Sequence, residues 1–131
     1  MHTGRHYDAL MSDIFFDDLS IPEPRWYLKV GSGTHALQTD TAMMRPEELP
    51  FAERPDALIV VGDVNSTLAG TLAAPMPHIP VIHLEAGLRS FDMSMPEAVN
   101  RLVADQLSSM HLTATAEAGA SVCTEHVEAA V

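Results

Sequence analysis

Hydrophobic and polar positions fall into short continuous apolar runs separated by stretches of helical spacing. Residues 57–61 (ALIVV) form one such run, opened by Pro55-Asp56 and closed by Gly62-Asp63; residues 80–84 (PVIHL) form a second. Runs of this length between turn residues predict strands. Apolarity on both faces predicts parallel strands covered by helices on either side. Between them, 66–74 predicts a helix of small and apolar residues capped by Asn65 or Ser66. Strand, helix and strand make one right-handed crossover unit. Over 95–110, Val99, Leu102, Val103, Gln106 and Met110 recur at helical spacing with only Gln106 polar, which predicts a helix facing a sheet. A short strand at 111–113 and a helix from about Thr115 follow. Towards the front, 8–19 predicts an amphipathic helix with Leu10 and Ile14 inward, and 26–30 (WYLKV) is strand-like.

Prolines break this pattern twice. A helix expected over 40–52 is interrupted by Pro46 and Pro50, and Pro75 and Pro77 stop the helix after Ala74. Proline inside a helix costs about 3 kcal/mol or more.

Composition narrows the partners. A chain of 131 residues makes one domain, and 47% apolar residues suit a folded one. Seven basic against 18 acidic residues give a net charge of −11. That disfavours nucleic acid and anionic membrane as partners, since both need a basic surface. A nucleotide stays open, because helix N-termini hold phosphate with backbone N–H groups. Cys123 is the only cysteine, so no internal disulfide forms, and no neighbouring base marks it as reactive. No apolar run reaches the roughly 20 residues of a membrane span. The polar first ten residues do not resemble a signal peptide, so the expected location is the cytoplasm.

Four clusters carry candidate chemistry, each with a structural alternative. GDVNST (62–67) joins a buried strand to a helix, where open parallel sheets bind ligands. Asp63 therefore stands at a ligand's place, or only complements the positive end of a helix. HLEAGLRS (83–90) puts Glu85 directly after a buried strand, where a carboxylate must be solvated, paired or used. Arg89 is its expected partner, and a structural ion pair is the alternative. In SMPEAVNR (94–101), Ser94 and Glu97 have capping-box spacing, so on pattern alone Glu97 reads as a cap before a catalyst. TGRHYD (3–8) places His6 four residues after His2, which is too few ligands for a metal, and no metal is expected. GSGTHA (31–36) fits a dinucleotide fingerprint, but the polar, proline-broken stretch after it argues against a dinucleotide.

Read in order, these words resemble the non-hydrolysing UDP-N-acetylglucosamine 2-epimerase family. TGRHYD resembles that family's TGQHYD-like turn, GSGTH one of its loops, and PEAVNR its PEExNR-like segment, while GDVNST and HLEAGLRS stand as family words. The resemblance implies an α/β fold, a Rossmann-like parallel sheet with flanking helices forming part of the N-terminal half of a GT-B-like fold. It implies interconversion of UDP-GlcNAc and UDP-ManNAc without a redox cofactor. UDP would be eliminated across C1–C2 and added back with C2 inverted. Carboxylates with tuned proton affinity suit the proton transfer, and Arg, His and backbone donors suit the departing phosphate. By motif position, Asp63, Glu85 and Glu97 would be catalytic; Asp63, Glu85, Arg89, His6 and Arg101 would bind substrate. Full-length relatives would be homodimers.

The sequence also departs from the family. A first strand–helix unit with a GTRPE-like turn and a C-terminal domain do not appear in it, Ala98 replaces the second acid of PEE, and Arg5 stands where Gln is common. Residues 1–131 are thus expected to be a partial N-terminal domain without turnover of its own. A standalone nucleotide-sugar-binding module, a fragment of a hydrolysing epimerase or GT-B glycosyltransferase, and a non-functional truncated frame remain alternatives.

Overall fold

The computed structural model describes residues 2–3, 16, 18–48, 54–74 and 78–129. The described elements run α1 (His35–Glu48), β1 (Leu58–Val61), α2 (Asn65–Ala73), β2 (Val81–Leu84), α3 (Pro96–Leu107), β3 (Met110–Leu112) and α4 (Ala116–Ala129). Among these residues, no helix is long and apolar enough to cross a membrane.

The three strands pair in parallel in the order β1-β2-β3. Val60 sits opposite His83, and His83 opposite His111. On that face Val60 and Val81 pack with Ala73, Ala74 and Ile79 into the core, with Leu58 at its edge. Small residues let α2 lie close to β1: a Cβ on Gly70 would come within 3.3 Å of Leu58 and 3.4 Å of Val60. The threonines of α2 are satisfied locally. Thr67 donates to the Val61 carbonyl at 2.6 Å and Thr71 to the Thr67 carbonyl at 2.8 Å.

The other face departs from expectation. Ile59 and Val61 on β1, and Met110 and Leu112 on β3, are each half or more exposed. The register puts Ile59, Ile82 and Met110 in one row and Val61, Leu84 and Leu112 in the next. A continuous apolar sheet face is thus open, where coverage on both sides was expected.

Three further expectations need correction. The stretch after Thr34 is a regular helix, and Pro46 lies in the last turn of α1 rather than interrupting it. At that position the missing N–H removes one ladder bond, and only two helical residues follow it. The residue preceding α2 is Val64, with no side-chain cap bond. Asn65 is instead the first helical residue, with its side chain turned inward to Gln38 at 2.8 Å. On α3 the buried residues are Asn100, Ala104 and Asp105, while Val99 is exposed and Met110 belongs to β3. Polar side chains with partners inside the molecule outrank the apolar period there. Segment 26–30 runs parallel to residues 2–3, with Leu28 N–H bonded to the His2 carbonyl at 2.8 Å. The expected helix over 8–19 lies almost wholly outside the described residues, as do Pro50, Pro75 and Pro77.

Candidate active site

Parallel pairing brings the C-terminal ends of β1 and β2 to one edge, and each strand ends in a turn. Gly62 (φ 66°) turns the chain after β1 and is followed by Asp63. After β2 the turn begins at Glu85, whose φ of 62° places a non-glycine residue in the left-handed region. Such a conformation is strained and tends to mark functional turns.

Asp63 is half-buried, and its Oδ2 accepts Arg101 Nη2 at 3.0 Å. Arg101 comes from α3, one turn after Glu97. The Asn100 amide, also on α3, donates to the Asp63 carbonyl at 2.9 Å and to Asn65 Oδ1 at 3.1 Å. Asn65 in turn meets His35 Nδ1 at 3.1 Å, so the start of α1 leans on the GDVNST turn.

A cavity of about 270 Å³ opens here. Asp63, Arg89, Ser90, Glu97, Arg101 and Glu125 supply its polar lining, with Phe91, Met93 and Met95 at an apolar side. Glu97 faces it from the first turn of α3, where the helix dipole favours its charge. The capping box does not form: Met95 occupies the cap position without a side-chain bond, and the Ser94 hydroxyl donates to Asp92 at 2.6 Å. Among the described residues, no hydrogen bond at the helix start takes up the Glu97 carboxylate. A second cavity of about 250 Å³ lies on the other side of the GDVNST turn, lined by His2, Thr3, Gln38, Asn65 and Ser66 among others.

Of the residues singled out from sequence, the structure gathers Asp63, Glu97, Arg89 and Arg101 around one cavity. Glu85 stands beside it and not in its lining, exposed, with Oε2 3.5 Å from where a Cβ on Gly62 would sit. His6 lies outside the described residues.

The expected pairing of Glu85 with Arg89 is not made. Arg89 bridges two other carboxylates: Asp105 Oδ2 at 2.7 Å and both oxygens of Glu125 on α4. The hydrogen bonding it donates to Glu125 is the main cause that raises the Arg89 guanidinium pKa above its ordinary value, against its own burial. Asp105 is fully buried. Burial opposes its ionisation most, but hydrogen bonds from His83, Arg89 and Gly87 N–H, with the Arg89 charge, outweigh it and hold its carboxyl below the usual range. Sequence reasoning missed Asp105, Asn100 and Glu125. One signal was available: His83 inside an otherwise apolar buried strand requires a partner.

Carboxylates at the cavity wall and on the adjoining turn can exchange a proton, and the two guanidinium groups can balance an anionic leaving group. Known proteins are similar to this chain in sequence and fold. A family model described as UDP-N-acetylglucosamine 2-epimerase matches residues 1–131. A UDP-N-acetylglucosamine 2-epimerase homolog of Methanococcus maripaludis is 44% identical over 131 residues, which is all of this chain and 37% of that protein. The UDP-2,3-diacetamido-2,3-dideoxy-D-glucuronate 2-epimerase of Pseudomonas aeruginosa is 50% identical over 110 residues, covering 84% of this chain and 31% of that protein. The crystal structure of Methanocaldococcus jannaschii UDP-GlcNAc 2-epimerase in complex with UDP-GlcNAc and UDP superposes with a TM-score of 0.91 at 43% identity, covering 96% of this chain and 35% of that one. The chain spans about a third of the length of these relatives.

Proposed function

Because the chain belongs to the UDP-N-acetylglucosamine 2-epimerase family, we propose that it forms one wall of a site that inverts C2 of a UDP-linked 2-acetamido sugar, interconverting UDP-GlcNAc and UDP-ManNAc. The observation that carries this reading is the cavity where Asp63 and Glu97 meet Arg89 and Arg101, with Glu85 on the adjoining turn. Proton removal and return at C2 need carboxylates on or near the sugar. Departure and return of UDP need fixed positive charge and backbone donors. In this reading Asp63, Glu85 and Glu97 share the proton transfers, and Arg89, Arg101 and His6 contact substrate. The cytoplasm is its setting, and a homodimer its assembly.

One observation favours a second substrate. The Pseudomonas relative at 50% identity is named for a 2,3-diacetamido uronate. The same chemistry at C2 would serve a sugar carrying a carboxylate.

The test places residues 1–131 in the M. jannaschii enzyme in exchange for the segment they match. The chimera is given UDP-GlcNAc and, separately, the UDP-diacetamido uronate, and products are followed by NMR. Formation of UDP-ManNAc supports the first reading, and selective turnover of the uronate supports the second. A folded chimera that binds UDP and converts neither sugar overturns both.

A further inference from the structure

Four ionisable side chains run in a line at the cavity: Arg89 and Glu125 belong to its lining, and His83 and Asp105 lie behind them. His83 is wholly buried in the middle of β2, and the side chain of Asp105 is 1% exposed. Arg89 and Glu125 complete the line at 7% and 30% exposure. Two positive partners and two negative ones would balance within it. Buried charges of this kind seldom add stability over an apolar packing of the same volume, and their best-attested use is to fix one arrangement.

The arrangement fixed here is that of the two strand-end turns. His83 Nε2 lies 2.8 Å from the Gly62 carbonyl oxygen, and Nδ1 lies 2.7 Å from Asp105 Oδ1. Both partners are acceptors, so only the ring with both nitrogens protonated satisfies both contacts. That pins the peptide leading into Asp63. The other oxygen of Asp105 accepts Gly87 N–H at 3.1 Å and Arg89 Nη1 at 2.7 Å. That pins the turn in which Glu85 is held at a φ of 62°. From behind, Gly87 is pressed so close to α4 that a Cβ would collide with the Ala118 carbonyl.

We propose that Asp105 is the positioning residue of this site: one buried carboxylate that sets the turns carrying Asp63 and Glu85 relative to each other, through His83 on one oxygen and Gly87 with Arg89 on the other. It is fully buried and does not line the cavity. The claim rests on the proposed function only for the use of the two turns; their coupling through Asp105 is a property of the chain itself.

The experiment is NMR on the isotope-labelled 131-residue chain, wild type against Asp105→Asn. In the wild type, His83 is expected to show two ring N–H protons protected from exchange. On acidification the signals of His83, Gly87 N–H and Glu85 N–H are expected to move together with one midpoint. Asp105→Asn is expected to lose one of the two ring N–H signals. At neutral pH it should also shift the side-chain carboxyl carbons of both Asp63 and Glu85, and leave that of Asp92, which Ser94 holds, in place. A Glu85 or Asp63 carboxyl that stays put in a folded Asp105→Asn chain overturns the proposal. Should that variant fail to fold, the wild-type acidification decides: a single ring N–H on His83, or separate midpoints for His83 and Gly87, overturns it. Coupled turns in a chain whose chimera converts no sugar would leave the positioning role standing and remove the epimerase reading.

Discussion

Replacing Gly87 by alanine asks two separate things of the turn that follows β2. Its φ of 80° lies in the left-handed region, where a Cβ costs roughly 1–2 kcal/mol. The second demand is space. A Cβ there would overlap the Ala118 carbonyl oxygen, stand 2.7 Å from the carbonyl carbon and 2.8 Å from Val122 Cγ2. A backbone carbonyl inside α4 cannot rotate aside, so the helix must move. Overpacking of this kind adds about 1–3 kcal/mol. Gly31 supplies the reference, because its φ is 72° and nothing lies within 4 Å of its would-be Cβ. Gly31→Ala should therefore lose only the conformational part, roughly 1–2 kcal/mol, and Gly87→Ala roughly 2–5 kcal/mol with the overpacking included. Urea unfolding of both variants beside the wild type measures the difference, read from midpoints at constant slope. The displaced α4 also carries Glu125, so Gly87→Ala should loosen its hold on Arg89. Equal losses in the two variants would refute the close approach of α4 to the Glu85 turn.

Three further outcomes follow from the same geometry. The depressed pKa of Asp105 stabilises the fold fully above its unfolded value of 3.8 and ceases to as pH falls through the lower folded value; acid titration of the melting temperature should show an extra loss below that value in wild type, absent in Asp105→Asn. Breaking the Arg101–Asp63 pair by Arg101→Met should cost about 1 kcal/mol or less of stability, since both side chains are partly exposed (15% and 30%); thermal melts should change little while turnover of the chimera falls, and a large melting shift with intact turnover would contradict the assignment. The open apolar rows on β1 and β3 predict self-association of the chain; sedimentation should show oligomers that Ile59→Lys with Leu112→Lys reduces, and a monomer unaffected by concentration would count against it.

Much of the frame was legible because its signals are local. The runs at 57–61 and 80–84 mark β1 and β2 within a residue of their observed bounds, since they are short, rich in β-branched residues and closed by turn residues. The motif words found Asp63, Glu97, Arg89 and Arg101, which gather at one cavity. What stayed hidden depends on contacts between distant residues. Asp105 lies 22 positions from His83 and Glu125 lies 36 from Arg89. Neither distance leaves a trace in local periodicity. The inward face of α3 was misjudged for the same reason: Asn100 and Asp105 are buried by their partners, not by their hydrophobicity. Ser94 and Glu97 had the spacing of a capping box, but Asp92 competes for the serine hydroxyl and wins at 2.6 Å.

The central claim is that Asp63, Glu85 and Glu97 serve proton exchange at C2 of a UDP-sugar. Running the chimera with UDP-GlcNAc in heavy water tests it most directly. The account predicts UDP-ManNAc with deuterium at C2, and loss of most of that incorporation, on the order of 100-fold or more, in Asp63→Asn, Glu85→Gln and Glu97→Gln. Product that keeps its original C2 proton, or full incorporation in all three variants, would contradict it.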